Sequence, residues 1–309
     1  MQNASIRIER AHNLWSSFAR KHEPVARATE IDPDPKLELS EIGGLAAAKE
    51  EIQTYACAAT DPAVYGRWGT YPPSGLLLIG RRGVGKRLLA KSLATLTHST
   101  FIVVKVPRLV LEIIHRGGNV GDLITAWSQT LSEMPTSTIL FNELEFSQAQ
   151  EIGARRPDLP VGPVMDFLLD IIDRTVAAEA HLVVGSTNHP DTLRQAFVQP
   201  GRFERVVEVT PAYPGDIVDA LEIHARASEL RAGHELFDNV DWKSVVDRYR
   251  EPATGDWIRI MHAVLRRKAR CEASGEIATQ ITTQDLFDEV DRSRQAHNQI
   301  AMQHSGNYL

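Results

Sequence analysis

Apolar and polar positions change their rhythm along this chain. From residue 37 to about residue 210, short apolar runs bounded by turn residues alternate with stretches of helical spacing. Leu76–Ile79, Phe101–Val106, Thr138–Phe141, His181–Gly185 and Val206–Val209 read as strands, and Lys86–Leu96 repeats its apolar residues three and four apart, as a helix does. Near-continuous apolar strands alternating with helices predict a parallel sheet of five strands, buried on both faces and flanked by helices. Beyond Pro211 and Pro214 only helical spacing remains, over Ile217–Arg231, Trp242–Tyr249, Thr254–Cys271 and Thr282–Arg294, the last with Thr282 and Asp285 at capping-box spacing. Ahead of the alternating region, Ala11, Leu14, Trp15 and Phe18 form a stripe on one face of a short helix, followed by the breaker-rich Ile31-Asp32-Pro33-Asp34-Pro35. The expected organisation is an N-terminal arm (1–36), a large α/β domain (37–210), a small helical domain (211–295) and a polar tail (296–309). The arm either packs on its own or a neighbouring subunit, or serves as a docking helix for another protein.

Composition narrows the function classes. With 309 residues, 43% hydrophobic, the chain can bury a sizeable core. A net charge of -6 gives no general attraction to nucleic acid or anionic lipid. Only Cys57 and Cys271 are present, far apart, so neither a disulfide framework nor a zinc site is indicated and a reducing cytoplasm is expected. Charges at Arg7, Glu9, Arg10, Arg20 and Lys21 interrupt any secretory signal, and no apolar run approaches the roughly 20 residues of a membrane span.

The chemistry concentrates in Gly80-Arg81-Arg82-Gly83-Val84-Gly85-Lys86-Arg87-Leu88, between a strand and a helix. Such a loop offers backbone N–H groups and a helix N-terminus to phosphate oxygens, with Lys86 reaching the terminal phosphates. It fits the P-loop pattern through Lys86, but Arg87 stands where a Ser or Thr hydroxyl should reach magnesium. Further on, Ile139-Leu140-Phe141-Asn142-Glu143 ends an apolar strand with an amide, Asn142, where a metal-holding aspartate is expected.

Several segments together resemble AAA ATPases of the membrane-protease, proteasomal and segregase type. They are Leu39-Ser40-Glu41-Ile42-Gly43-Gly44-Leu45 with Ala48-Lys49-Glu50-Glu51, then Ser186-Thr187-Asn188-His189-Pro190-Asp191-Thr192-Leu193, Gln199-Pro200-Gly201-Arg202-Phe203-Glu204-Arg205 and Leu221-Glu222-Ile223-His224. The resemblance runs from about Leu37 to Arg294 in the family's order. It implies a P-loop NTPase fold, a five-stranded parallel sheet flanked by helices and followed by a small α-helical lid. It further implies ATP or ADP as ligand, held by Arg82 to Leu88, with Ile42 and Gly43 bordering the adenine and His224 and Gly255 closing over it. Glu143 would polarise the attacking water, Asn188 would sense the terminal phosphate, and Arg202 and Arg205 would reach into a neighbouring subunit's site. A trans arginine of this kind is worth about 10³ to 10⁵ in rate.

Where the chain departs from the family, expectations change. Arg87 has only donors and Asn142 carries no charge, so both residues lose the same ion, and Arg87 with Arg81, Arg82 and Lys86 could neutralise phosphate charge in its place. In the stretch Glu112-Ile113-Ile114-His115-Arg116-Gly117-Gly118, Ile114 stands where translocating relatives present an aromatic, so an aromatic pore grip is not expected. The leading expectation is an ATP-binding, hydrolysis-impaired pseudo-ATPase with doubtful magnesium, acting as an assembly or regulatory subunit. It would sit in a homo- or hetero-oligomeric ring, a hexamer being one form, with an unidentified protein partner or client and neither membrane nor nucleic acid. The alternative is an active ATPase that remodels or unfolds proteins.

Overall fold

The computed structural model of the chain describes residues 2–116, 120–145 and 161–305. It divides into two compact units, the first drawn from Met1–Leu39, Ala46–Arg81 and Lys86–Val209, the second from Ser40–Leu45, Arg82–Gly85 and Thr210–Leu309.

The first unit opens with α1 (Gln2–Lys21), α2 (Glu23–Ala28) and β1 (Thr29–Asp32), followed by α3 (Ala46–Thr60), α4 (Ala63–Arg67) and β2 (Leu76–Ile79). Then come α5 (Lys86–Leu96), β3 (Thr100–Lys105), α6 (Val106–Arg116), α7 (Val120–Glu133), β4 (Ser137–Asn142), α8 (Val161–Ala177), β5 (Leu182–Thr187) and β6 (Arg205–Glu208). The strands form one sheet in the order β1-β3-β4-β5-β2-β6. All neighbouring pairs are parallel except β1 with β3, which is antiparallel. The mixed α/β architecture with helices flanking the sheet is the expected one, with a difference at one edge. The pattern of apolar runs predicts five parallel strands, whereas β1 adds a sixth from the arm. Its sequence, Thr-Glu-Ile-Asp, has too few apolar residues to register as a strand, yet a short charged segment suits a sheet edge.

The arm is packed, not free. Ala11, Trp15, Phe18, Val25 and Ala28 are buried in the same core as Ile102, Val104, Trp127, Phe141 and Ile172. Trp15 and Phe18 each meet Trp127 edge-on with ring centroids 6.0 Å apart, and the Trp127 indole donates to Thr175 Oγ1 at 2.9 Å. Of the two fates open to the arm, packing on its own subunit is the one observed. Strand register gathers the ends that matter: Ile79 lies beside Thr187 across β2 and β5, and Asn142 beside Ser186 across β4 and β5. Gly80, Glu143 and Asn188 therefore follow the carboxyl ends of neighbouring parallel strands, where open α/β sheets place ligands.

The second unit contains α9 (Gly215–Ala232), α10 (Trp242–Asp247), α11 (Thr254–Ala273) and α12 (Thr283–Ser305) around Ile217, Leu221, Trp257, Met261, Ile281, Leu286 and Val290. Its helix ends follow the sequence signals. The Thr282 hydroxyl accepts from the Asp285 backbone N–H at 3.3 Å while Asp285 Oδ2 accepts from the Thr282 N–H at 2.9 Å, a reciprocal cap. The polar stretch after Arg294, expected to be a tail, continues α12 to Ser305. It contains Gln, Ala and Met and no breaker before Gly306, so nothing stops the helix earlier. Among the described residues no helix is long and apolar enough to cross a membrane.

Candidate functional site

In the first unit, Lys86 begins α5 and is only 8% exposed, rare for a lysine. Its ammonium donates to the carbonyls of Gly80 (2.5 Å) and Arg81 (2.9 Å) and to Asn188 Oδ1 (3.0 Å). Burial pushes the Lys86 pKa down to about 8, with the carboxylates of Glu145 and Glu143 opposing the shift. Asn188 is oriented from its other side: its backbone N–H and Nδ2 donate to Glu145 Oε1 at 3.2 and 2.7 Å. The second Glu145 oxygen is buried with no hydrogen-bond partner among the described residues. Glu145 was invisible in the sequence pattern. Glu143 turns the chain with a positive φ of 64°, and that turn brings the carboxylate two residues later back to Asn188.

Asn142 ends β4 with its amide oxygen accepting the Ser186 hydroxyl at 2.9 Å, and the Glu143 N–H approaches the same hydroxyl at 3.4 Å. Arg87 reaches the sheet edge. Its guanidinium, 51% exposed, pairs with Glu30 on β1, whose other carboxylate oxygen takes Lys105. A second rung, Lys91 to Asp32 at 2.8 Å, lies one helical turn along α5. Lys105 and Arg87 hold the Glu30 carboxyl below the usual carboxylate range. Leu88, next on α5, is exposed.

The two arginines expected to act in trans are paired within their own chain. Arg202 forms a two-pronged pair with Asp173 (2.5 and 2.7 Å) and donates to the Ala196 carbonyl at 2.7 Å. It is only 18% exposed. Arg205, 55% exposed, pairs with Glu51 at the mouth of a cleft lined also by Tyr55, Tyr65 and Glu204. Ile114, near the end of α6, packs partly buried against the first unit's core, while residues 117 and 118 of the expected pore segment lie outside the described residues.

In the second unit, Ile42 is buried and Gly43 lies against the backbone of α9, where a Cβ on it would come within 2.2 Å of the Ala220 nitrogen. His224 follows Ala220 by one turn on the same helix face. Burial lowers the His224 pKa, helped by His262 and Arg231. Gly83 has φ 85°, and its carbonyl accepts the Gly255 N–H at 2.9 Å. A side chain at Gly83 would be strained by that φ, and one at Gly255 would crowd the Gly83 carbonyl at 3.1 Å. Val84 is buried and Arg82 exposed.

A glycine-rich loop between β2 and α5, a buried lysine, and an asparagine and glutamates at adjacent strand ends form one recognisable set. The family model described as "ATPase family associated with various cellular activities (AAA)" matches residues 76–211, the span that holds them. The chain belongs to the AAA ATPase family. It is 32% identical to proteasome-activating nucleotidase of Methanocaldococcus jannaschii over 66% of this chain and 47% of that one, and 32% identical to that of Archaeoglobus fulgidus over 75% and 56%. It is 29% identical to the ATP-dependent zinc metalloprotease FtsH of Aquifex aeolicus over 74% of this chain and 35% of that protein. The chain thus spans about half the length of the nucleotidases it matches.

Within this AAA module the donor set argues about the metal. Magnesium requires hard oxygen ligands in near-octahedral geometry. Arg87 supplies none, and Asn142 presents a neutral amide oxygen, which already accepts the Ser186 hydroxyl, where a carboxylate is expected. The residues at these two positions do not fit the ion. Among the described residues no cluster of three or more His, Cys, Asp or Glu side chains is arranged to hold one elsewhere.

Proposed function

We propose that this AAA chain binds ATP or ADP through its glycine-rich loop and Lys86, hydrolyses it poorly, and acts as an assembly or regulatory subunit of an oligomeric ring. The observation that carries the reading is the pair of misfit positions. Arg87 rests on Glu30 and has no oxygen to offer a metal, while Asn142 brings one neutral amide oxygen, already accepting from Ser186, in place of a negative charge. What remains suits an anion: loop N–H groups, a helix start and a lysine already placed among acceptors that phosphate oxygens can replace. A chemical step that relies on a Lewis acid worth several kcal/mol suffers more from such a change than binding does. Arg205, exposed and held by a single carboxylate, is the arginine better placed to serve a neighbouring subunit. Arg202 supports the fold of its own chain.

The test is nucleotide affinity and steady phosphate release by the purified chain, with magnesium and with chelator. Affinity indifferent to magnesium together with weak release supports the reading. Release at an ordinary rate with strict magnesium dependence refutes it. A second reading is favoured by the placement of Glu143, Lys86 and Asn188 at adjoining strand ends, and by relatives named for nucleotidase and ATP-dependent protease activity: an active ATPase that remodels proteins. Under that reading Glu143→Gln abolishes phosphate release while leaving nucleotide bound. Addition of the chain to an active AAA partner discriminates further, since a trans-acting Arg205 raises the partner's rate and Arg205→Ala does not.

A further inference from the structure

The added strand and the unusual arginine meet each other. Glu30 and Asp32 alternate onto one face of β1, and Arg87 and Lys91 lie a turn apart on α5, so the four residues form two rungs between the sheet edge and the phosphate-loop helix. Arg87 occupies the first turn of that helix, directly after the lysine proposed to meet phosphate. Its pair with Glu30 is half exposed, and pairs of that kind hold weakly. Glu30 moreover has a second cation on its other oxygen: Lys105, at the end of β3. If Arg87 leaves, Glu30 keeps a partner, so departure does not strand a carboxylate.

Building on the nucleotide-binding reading above, we propose that Glu30 is the positioning residue of Arg87, holding its guanidinium at the sheet edge when the loop is empty and yielding it to the terminal phosphates of a bound nucleotide. The arm's strand thereby sets the affinity of a site some sixty residues later in the chain. A polyphosphate carries several charges in bidentate geometry, which a guanidinium matches as well as it matches one carboxylate. The Arg87–Glu30 contact therefore competes with nucleotide binding and does not assist it.

The experiment measures the dissociation constant of ATP by titration calorimetry in chelator for the full chain, Glu30→Gln, Arg87→Ala and the double variant, with melting temperatures alongside. Removing the competing carboxylate is expected to tighten binding by up to about fivefold, the upper range for an exposed pair. The same substitution in the Arg87→Ala background is expected to change affinity less than twofold. Glu30→Asp, keeping the charge on a shorter stem, is expected to bind nearer to wild type than Glu30→Gln does. Weaker or unchanged binding by Glu30→Gln overturns the proposal, as does an equal gain in the Arg87→Ala background, which would reflect mere removal of negative charge. A purely structural clamp would lower the melting temperature without tightening binding. If the wild-type chain binds ATP only with magnesium, metal-free binding falls. The same four proteins titrated with magnesium then read the exchange directly, and absence of coupling between positions 30 and 87 overturns it there too.

Discussion

Lys86 makes nucleotide affinity depend on pH in a way that distinguishes this site from one with an ordinary lysine. In the free protein its pKa is pushed down to about 8 because the ammonium is buried, with only the two glutamates opposing the shift. Nucleotide phosphates restore several negative charges beside it, which favours the charged form and raises the pKa in the complex. A group whose pKa is raised on binding contributes affinity that is complete below the free value and is lost as pH climbs through it. With a free pKa of about 8, the charged fraction falls from roughly three quarters at pH 7.5 to roughly one thirtieth at pH 9.5, so the dissociation constant should rise about twenty-five-fold if the complex titrates near or above the ordinary lysine value. The phosphate itself, with its last ionisation near about 6, is already fully charged across this window. Titration of ATP into the chain at half-unit pH steps in chelator measures the effect. Lys86→Arg, which keeps its charge throughout, should bind more weakly and show a flat profile. A wild-type dissociation constant constant within about twofold from pH 7.5 to 9.5 would refute the assignment of Lys86 as a buried, partly discharged phosphate ligand.

Other substitutions test separate parts of the structure. Arg87→Ser with Asn142→Asp together supply a hydroxyl and a carboxylate at the misfit positions, and should raise phosphate release at least about tenfold with magnesium and leave it unchanged in chelator. Arg202→Ala removes a two-pronged pair with the half-exposed Asp173 and a carbonyl contact, and should cost about 1–2 kcal/mol in denaturant unfolding. Arg205→Ala, breaking one exposed pair, should stay within about 0.5 kcal/mol of wild type in the same assay. Trp15→Ala opens a cavity between Phe18 and Trp127 and should cost about 3–5 kcal/mol, showing that the arm belongs to the first unit's core.

What could be read from sequence was whatever depends on local pattern. The apolar runs of β2 to β5 and the glycine-rich loop announce themselves within a few residues, whereas the register that sets Asn142 beside Ser186 emerges only in the folded sheet. The stripe of Ala11, Trp15 and Phe18 showed that a helix buries one face, but not what that face meets, because Trp127 lies more than a hundred residues away. β1 failed to register for a physical reason: a four-residue edge strand needs no apolar alternation when acidic side chains are its contacts. Glu145 was missed because its place depends on the left-handed backbone of Glu143, a conformation no side-chain pattern prescribes there. The partners of Arg202 and Arg87 were likewise non-local, on α8 and β1, so an arginine read only against the motif it interrupts was assigned to phosphate when its resting contact is a carboxylate.

That last substitution of partners explains why the arm's contribution has to be probed by single residues. Deleting the arm would release Arg87, Lys91 and Lys105 from the two carboxylates of β1 at once, leaving three cations near the start of the phosphate-loop helix and so favouring anions of any kind. The same deletion would uncover the β3 edge and remove Trp15 and Phe18 from the core that Trp127 shares with β4 and α8. The loss of buried aromatic area outweighs any exposed ion pair by several kcal/mol, so a truncated chain would report mainly on unfolding. Neutralising Glu30 alone changes the charge at Arg87 while keeping β1 paired, since the ladder with β3 is made by backbone groups and Lys91 still holds Asp32. Affinity and stability then move independently, and only the competition between Glu30 and phosphate for one guanidinium predicts that affinity should rise with Arg87 present and not in the Arg87→Ala background.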